Sequence, residues 1–156
     1  MAKVLNDLLD AAIQDEIDAQ KFYLDAREKS VNPRLKEFFN TLANEEKGHE
    51  RILQGVKEMG LYDVDLPVDE GVLDQIEGAH VITGEKPIKE LSIEEAMQLA
   101  MKKENKACHV YAQMAETADQ EEIKKLFSSI SADERRHFSM IEKHYEMRTG
   151  QMGSEG

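Results

Sequence analysis

The sequence predicts an all-α fold, an antiparallel four-helix bundle built from two similar helical hairpins. Four segments carry apolar residues at helical spacing. The 156 residues include only 3 prolines and 9 glycines, which leaves room for long helices. The two halves also match each other at an offset of 88 positions, which aligns Glu16 with Glu104 and Tyr23 with Tyr111. We predict one domain over residues 1–148.

The first hairpin is predicted to consist of helices over residues 3–30 and 33–59. The Asn32-Pro33 pair separates them, because proline is favoured at the first position of a helix. So short a link makes the two helices antiparallel neighbours. Their apolar stripes include Leu5, Leu9, Ala12, Tyr23, Leu35, Phe39, Leu42 and Leu53.

The second hairpin is predicted to consist of helices over residues 92–117 and 120–148. Ser92 is a favourable N-cap, and Glu95 follows it at the spacing of a capping box. The apolar stripes of this hairpin include Ile93, Met97, Ala100, Ala107, Tyr111, Ile123, Phe127, Ile130 and Ile141.

Residues 60–91 separate the two hairpins and contain the turn-forming Pro67 and Pro87. We predict a long crossover here, with one short helix near residues 70–76. Such a crossover allows the second hairpin to join the first in one bundle. The last residues, 149–156, are predicted to form a disordered tail.

Charged and polar residues interrupt each apolar stripe near its middle. Glu16, for example, lies seven residues after Leu9 and seven before Tyr23. Heptad spacing places all three on one helix face, and residues three apart, as in Glu-x-x-His, also share a face. The polar residues predicted to point into the bundle are Glu16, Glu46, His49, Glu104, Glu134 and His137.

These six residues are also predicted to lie at one height in the bundle. Glu16 precedes Val31 by 15 residues and Glu46 follows it by 15. At about 1.5 Å per residue, both carboxylates lie roughly 22 Å from the same turn. Glu104 and Glu134 have the equivalent spacing in the second hairpin. The sequence therefore predicts four carboxylates and two imidazoles that meet in the interior.

Buried carboxylates in such a group must be protonated, paired or bound to a cation, because an unpaired buried charge costs several kcal/mol. The interior stripes show no lysine or arginine at this height that would neutralise them. Oxygen-rich sites with one nitrogen each suit iron or manganese and differ from thiolate zinc sites. We therefore predict two metal ions at the centre of the bundle.

Composition limits the other possible functions. The net charge of -12 repels nucleic acid and anionic membranes at long range. No apolar run approaches the roughly 18 residues of a membrane span, and the N-terminus carries no apolar secretory segment. The single cysteine, Cys108, cannot form an internal disulfide or a cysteine-rich metal site. We expect a cytoplasmic protein that binds neither nucleic acid nor membrane.

At these positions the sequence resembles the ferritin-like diiron-carboxylate superfamily, and within it the rubrerythrin-like branch that lacks a rubredoxin domain. The resemblance covers residues 3–147. Its marks are Glu16-x-x-Ala19 with Phe22-Tyr23, Glu46-x-x-His49, the segment Leu91-Ser92-Ile93-Glu94-Glu95-Ala96, Glu104-x-x-Ala107 with Val110-Tyr111, and Glu134-x-x-His137. One departure is Ala107, which stands where rubrerythrins carry an additional carboxylate on the third helix.

The resemblance implies a ligand arrangement and a reaction type. Glu46 and Glu134 would bridge two iron ions, with manganese as an alternative and zinc as a substitute. The terminal ligands would be Glu16, His49, Glu104 and His137. The implied activity is that of an oxidoreductase acting on hydrogen peroxide or dioxygen, of peroxidase or ferroxidase type, in oxidative stress. No catalytic residues are predicted beyond the metal ligands.

Other implications concern partners and an alternative role. A four-cysteine electron-transfer domain cannot be formed with one cysteine, so a separate donor protein would supply electrons. The family resemblance implies a homodimer. The alternative is a non-catalytic protein that binds, stores or sequesters iron.

Several further residues are of interest. Tyr23 and Tyr111 are interpreted as core packing in preference to hydrogen-bond donors to the centre. The equivalent pair Glu45 and Asp133 could orient a histidine ligand of the other hairpin or could be ordinary surface charge, and the sequence leaves both open. His80 is assigned to the crossover without a role. The helix glycines, Gly48 and Gly55, suggest close approach of the crossover or of a second subunit.

Overall fold

The computed structural model describes residues 5–58, 79–80, 82–118 and 120–155. Its four long helices are α1 (Leu5–Lys29), α2 (Pro33–Glu58), α3 (Ile93–Thr117) and α4 (Glu121–Glu155). A short 3-10 helix, Ile88–Glu90, precedes α3, and these described ranges contain no strand. The predicted all-α class is confirmed. The short helix predicted near residues 70–76 lies outside the described residues.

The starts of α2 and α3 follow from local hydrogen bonds. The Asn32 side chain accepts hydrogen bonds from the backbone N–H groups of Arg34 (2.8 Å) and Leu35 (3.4 Å). Ser92 and Glu95 form the predicted capping box, in which the Ser92 hydroxyl accepts from the Glu95 N–H and the Glu95 carboxylate accepts from the Ser92 N–H. These contacts satisfy backbone donors that a helix start leaves without partners.

Two apolar clusters lie along the bundle, one toward each end. The first contains the start of α1, the end of α2, the second half of α3 and the start of α4, and its members include Leu9, Leu53, Met114, Ile123 and Phe127. The second contains the opposite parts of the same helices, and its members include Ala26, Phe39, Met97 and Ile141. Helices α1 and α4 therefore run in one direction and α2 and α3 in the other, so the connection between α2 and α3 joins opposite ends of the bundle.

The described part of this connection passes the middle of the bundle. Ala79 is buried in the first cluster, whereas Ile88 and Leu91 are buried in the second. His80 follows Ala79 and is itself buried. A crossover that runs between the two ends thus places a side chain at the height of the predicted metal centre.

The C-terminal end of the bundle differs from the prediction. Helix α4 continues to Glu155, so the boundary at residue 148 was too early and the disordered tail at 149–156 is wrong for residues 149–155. The hydroxyl of Thr149 donates to the Tyr145 carbonyl within the helix, at 2.8 Å. Glycine within a helix costs only about 1 kcal/mol, which a long preceding helix tolerates.

Within the described ranges, none of the helices has a stretch apolar and long enough for a bilayer crossing.

Candidate metal centre

The six side chains predicted to point inward do come together between the two apolar clusters. Each is at most 3% exposed. One group of potential ligands combines Glu16 and His49 with Glu46 and Glu134, and a second combines Glu104 and His80 with the same Glu46 and Glu134. Two sites that share two carboxylates are what a pair of bridged ions requires. The predicted heights and orientations are therefore confirmed, while the binding of metal by these residues stays a prediction.

The two predicted histidines face the carboxylates through Nδ1. His49 Nδ1 lies 3.1 Å from Glu46 Oε1 and 3.5 Å from Glu16 Oε2. His137 Nδ1 lies 3.0 Å from Glu104 Oε2 and 3.2 Å from Glu134 Oε1. Each imidazole thus contacts both carboxylates of its own hairpin.

An acidic side chain of the opposite hairpin faces the outer nitrogen of each histidine. His49 Nε2 lies 3.0 Å from Asp133 Oδ2, and His137 Nε2 lies 3.5 Å from Glu45 Oε1. A carboxylate in this position fixes which ring nitrogen carries the proton and leaves the other as a ligand. Of the two interpretations that the sequence left open, the structure supports histidine orientation for Asp133. Glu45 instead pairs with Arg136, and His137 Nε2 has no hydrogen-bond partner among the described residues.

The tyrosines also reach across between the hairpins. Tyr23 donates a hydrogen bond to Glu104 Oε1 and Tyr111 donates one to Glu16 Oε1, each at 2.9 Å. Both tyrosines are buried, and burial raises the pKa of each hydroxyl well above its ordinary value, so both remain donors. Both rings pack in the apolar clusters, as predicted, and the hydroxyl of each also holds a carboxylate of the centre, which is the role that the sequence analysis did not prefer.

His80 was missed as a residue of this centre. Its Nε2 lies 2.7 Å from Glu134 Oε2 and 3.3 Å from both Glu46 Oε2 and Glu104 Oε1. Its Nδ1 contacts Asp15 on α1. Because the crossover has no helical periodicity, no spacing argument could bring His80 into the bundle, and the signal in the sequence is only a histidine near the middle of a long connection.

Lys103 corrects the expectation that no lysine lies in the interior at this height. It is only 6% exposed, and its Nζ donates to the His80 carbonyl at 2.7 Å and pairs with Glu85 at 2.8 Å. The ammonium group also lies 4.6 Å from the centre of the Phe22 ring, a cation–π contact. The polar contacts of its ammonium group are with the crossover, so this lysine fixes the His80 backbone.

Burial makes two of the carboxylates reluctant to ionise. It raises the pKa of Glu16 to about 8, with a further contribution from the Glu46 charge. Burial also raises the pKa of Glu46 to about 7, reinforced by the charges of Glu134 and Glu104. Without a cation, these groups retain protons at pH values at which a surface carboxylate is ionised. A metal ion would displace such protons.

For the two histidines, contacts with carboxylates outweigh burial and favour the charged form of the ring. Burial favours the neutral ring of His49, yet its contacts with Glu16 and Glu46 outweigh burial and raise its pKa to about 12. The carboxylates of Glu104 and Glu134 similarly raise the pKa of His137 to about 11. In the metal-free protein, positive imidazolium rings therefore compensate the negative centre, and metal binding requires them to lose a proton.

The inner atoms of the cluster are suited to metal binding. Within the described residues, several of them are buried and close to one another but have no hydrogen-bond partner, namely Glu16 Oε2, both oxygens of Glu46, both oxygens of Glu134, His49 Nδ1 and His80 Nε2. Buried polar atoms without a partner are rare in folded proteins. Carboxylate oxygens and imidazole nitrogens are ligands of iron and manganese, so this donor set fits two such ions.

Comparison with known proteins agrees with this geometry. The Rubrerythrin family model matches residues 7–145. The chain belongs to the rubrerythrin family. This diiron-carboxylate family implies iron binding, and the buried carboxylate and histidine groups accord with that implication. No curated protein matches the chain in sequence.

Two solved structures share this rubrerythrin-family fold. A hypothetical protein from Pyrococcus furiosus superimposes with a TM-score of 0.70 at 27% identity, over 94% of this chain and 91% of the other. A Thermotoga maritima protein described as ferritin-like diiron-carboxylate gives a TM-score of 0.70 at 20% identity, over 94% and 97% of the two chains. These similarities support the ferritin-like four-helix bundle.

Proposed function

We propose that this chain is an oxidoreductase with two resident iron ions that reacts with hydrogen peroxide or dioxygen. The observation that carries the proposal is the set of buried inner ligand atoms that lack hydrogen-bond partners at the centre of the bundle. Burying polar atoms without partners in a bundle interior costs free energy unless a bound ion interacts with them.

The arrangement of the side chains supports a specific ligand assignment. Glu46 and Glu134 belong to both potential sites, so they are assigned as bridges. Glu16 and His49 would complete one ion, because both lie near the α1–α2 side of the shared carboxylates. Glu104 and His137 would complete the other. Manganese is the alternative to iron for the same ligands, and zinc a substitute.

The proposed reaction takes two electrons and two protons for each hydrogen peroxide and produces two water molecules. Two ferrous ions would supply one electron each and act as Lewis acids toward the oxygens. A separate electron-donor protein would return the two electrons. The protein itself holds the ligands in fixed positions through Tyr23, Tyr111 and Asp133 and keeps bulk water from the buried centre.

The hydrogen bonds that hold the proposed ligand side chains in place favour iron that stays bound over iron that is stored and released. His49 is held by Asp133, and Glu16 and Glu104 each accept a tyrosine hydrogen bond. Such contacts increase metal affinity and fix the ligand geometry, whereas a storage role needs ions to pass onward. Iron binding without turnover is the alternative that the reactivity experiment below separates from catalysis.

Metal content tests the ligand assignment. The purified protein is expected to hold close to two ions per chain, and the double variant Glu46→Ala with Glu134→Ala is expected to hold none. The matched control is Glu37→Ala with Glu122→Ala, which removes one exposed carboxylate from each of the same two helices. Full occupancy in the first double variant would refute the site.

Reactivity tests the function. Protein loaded anaerobically with ferrous iron is mixed separately with peroxide and with oxygen, and absorbance follows the oxidation. We expect one peroxide to oxidise two ferrous ions, faster than oxygen does, and repeated turnover when a chemical reductant is present. Faster reaction with oxygen would indicate a ferroxidase, and iron that resists both oxidants would indicate storage or sequestration.

A further inference from the structure

His80 approaches the centre from outside the two repeated hairpins. It precedes the 3-10 helix of the crossover and is 2% exposed. The two Nδ1 atoms of His49 and His137 contact the Oε1 atoms of the shared carboxylates, whereas His80 Nε2 contacts the Oε2 atoms. The centre thus has a third imidazole, directed at the other oxygens of the same two residues.

The spacing of these atoms is that of ligands around one ion. Two atoms bound to one transition metal at right angles lie about 3 Å apart, because each bond is about 2.1 Å long. His80 Nε2 lies between 2.7 and 3.3 Å from one oxygen each of Glu46, Glu104 and Glu134. Nε2 nevertheless has no hydrogen-bond partner among the described residues. A lone pair directed at a shared ion accounts for both facts.

Asp15 holds the His80 ring in an orientation in which Nε2 can bind an ion. Its Oδ1 accepts a hydrogen bond from the His80 backbone N–H at 2.9 Å, and its Oδ2 contacts the ring Nδ1. A proton on Nδ1 leaves Nε2 as the free ligand atom. Asp133 contacts His49 in a similar way, except that it faces Nε2 and leaves Nδ1 as the free ligand atom. Asp15 is buried, so its contacts are not those of an ordinary surface carboxylate.

Lys103 holds the same segment from the opposite hairpin. Its ammonium group donates to the His80 carbonyl and pairs with Glu85 farther along the crossover. Burial of a lysine is costly unless its charge is paired and its donors are satisfied. The His80 backbone is therefore held on both sides, by Asp15 of α1 and by Lys103 of α3.

We propose that His80 is a seventh protein ligand of the metal centre, bound through Nε2 to the ion shared by Glu46, Glu104 and Glu134, and that Asp15 is its positioning residue. The proposal rests on the metal centre proposed above. It makes the two ions unequal, because the ion on the Glu16 and His49 side has no corresponding third-imidazole ligand.

Nuclear magnetic resonance of the full chain loaded with cobalt(II) tests this directly. Histidines bound to a paramagnetic ion give strongly shifted resonances from the opposite ring N–H, which disappear in D2O. We expect three such resonances, from His49, His80 and His137, and two in His80→Gln. His109→Gln, which changes an exposed histidine of α3, should keep all three.

The outcomes separate the two proposals. Two ring N–H resonances in a wild-type protein that binds two cobalt ions would overturn the role of His80 and leave the six-ligand centre intact. They would mean that the His80 imidazolium pairs with the carboxylates only when metal is absent. Failure of the wild-type chain to take up cobalt, manganese and ferrous iron would refute the centre itself.

A second variant tests the positioning role and does not depend on the folding of His80→Gln. Asp15→Asn is expected to move the His80 N–H resonance alone and to weaken binding of one of the two ions by about 10- to 100-fold. Asp18→Asn, at an exposed position of α1, is the matched control and should change neither. Unchanged resonances and affinity in Asp15→Asn would overturn the assignment of Asp15.

Discussion

The two hairpins contribute equivalent residues to the centre but differ at the residue before the first of them. Glu16 corresponds to Glu104, and the glutamate–histidine pairs and both tyrosines also correspond. At the preceding position, however, α1 has Asp15 and α3 has Lys103. Both are buried and both contact His80, one through the ring and backbone N–H and the other through the carbonyl.

This difference shows how a repeated sequence can form an unsymmetrical centre. The equivalent carboxylates Glu16 and Glu104 have opposite properties. Burial raises the pKa of Glu16 to about 8, whereas His137 and His80 outweigh the effect of burial at Glu104 and lower its pKa to about 2. His80, held by two unlike charges, contributes to this difference in pKa together with the closer contact of His137 with Glu104.

The largest expected effect is a pH dependence of the metal-free protein. A carboxyl whose folded pKa is raised, as in Glu16, stabilises fully below its unfolded pKa and loses this contribution as the pH rises through about 8. The free energy of unfolding should therefore fall between pH 5 and 8, on the order of 1 kcal/mol per pH unit for each such group. Urea denaturation in the presence of a chelator measures it.

Glutamine variants of the two equivalent glutamates, Glu16 and Glu104, sharpen this test. Glu16→Gln should make the fall between pH 5 and 8 shallower, because a neutral amide no longer titrates. The raised pKa values of Glu46, His49 and His137 still contribute to the fall. Glu104→Gln should leave that fall in place and instead remove stability that the native carboxylate contributes above its unfolded pKa and loses as the pH falls through about 2. Identical profiles for the two variants would show that the hairpins are electrostatically equivalent.

Asp133 and Glu45, which face the outer nitrogens of His49 and His137, should differ in their effect on metal affinity. Asp133→Asn removes a contact of 3.0 Å with His49 and is expected to weaken binding about 10- to 100-fold. Glu45→Gln should have a smaller effect, because its contact with His137 is 3.5 Å. Competition with a chelator measures both, and Glu142→Gln, an exposed change on α4, is the control. A larger loss in Glu45→Gln would contradict this ranking.

The sequence was sufficient for the helices and the six inward-facing residues because both depend on periodicity. Heptad spacing places Glu16 and Glu104 on the core face, and equal distances from the two turns place them at one height. The same reasoning ended α4 too early, at residue 148, although the helix extends through Gly150 and Gly153 to Glu155.

Residues outside that periodicity could not be placed in the same way. His80 lies in a connection whose path depends on the packing of four helices, and Lys103 is buried only because the crossover supplies acceptors for its ammonium group. Helical periodicity placed the tyrosines on the correct face, but it does not show which atoms their hydroxyl groups contact. Their hydrogen bonds to carboxylates of the other hairpin depend on how the hairpins dock.

Removal of these hydroxyls should have a moderate effect on stability. Tyr23→Phe and Tyr111→Phe each leave a buried carboxylate oxygen without its donor, at a cost of about 1–3 kcal/mol. Tyr111→Phe should cost more, because Glu104 keeps a hydrogen bond from His137 at 3.0 Å whereas Glu16 lies 3.5 Å from His49. Urea denaturation of the metal-free protein, in the presence of a chelator, measures the difference, with Tyr145→Phe as control. Equal costs would indicate that the two carboxylates are equally supported.

The smallest expected effect concerns a position where the hairpins differ on their outer surface. Gly55 of α2 corresponds to Lys143 of α4, and a Cβ added at Gly55 would meet no atom within 4 Å in the part of the chain that the structure describes. The close approach suggested by this glycine is thus not found there. Gly55→Ala should raise the free energy of unfolding by about 0.5–1 kcal/mol, because alanine loses less entropy than glycine in a helix.

The control for this change is Lys143→Ala, which should alter stability by less than about 0.5 kcal/mol at its exposed site. A homodimer that used the Gly55 face would reverse the sign of the effect, since the added methyl group would then meet the partner subunit. Urea denaturation at two protein concentrations distinguishes the cases. Stabilisation that is independent of concentration indicates a free α2 face, whereas destabilisation that disappears on dilution indicates that this face binds a second copy of the chain.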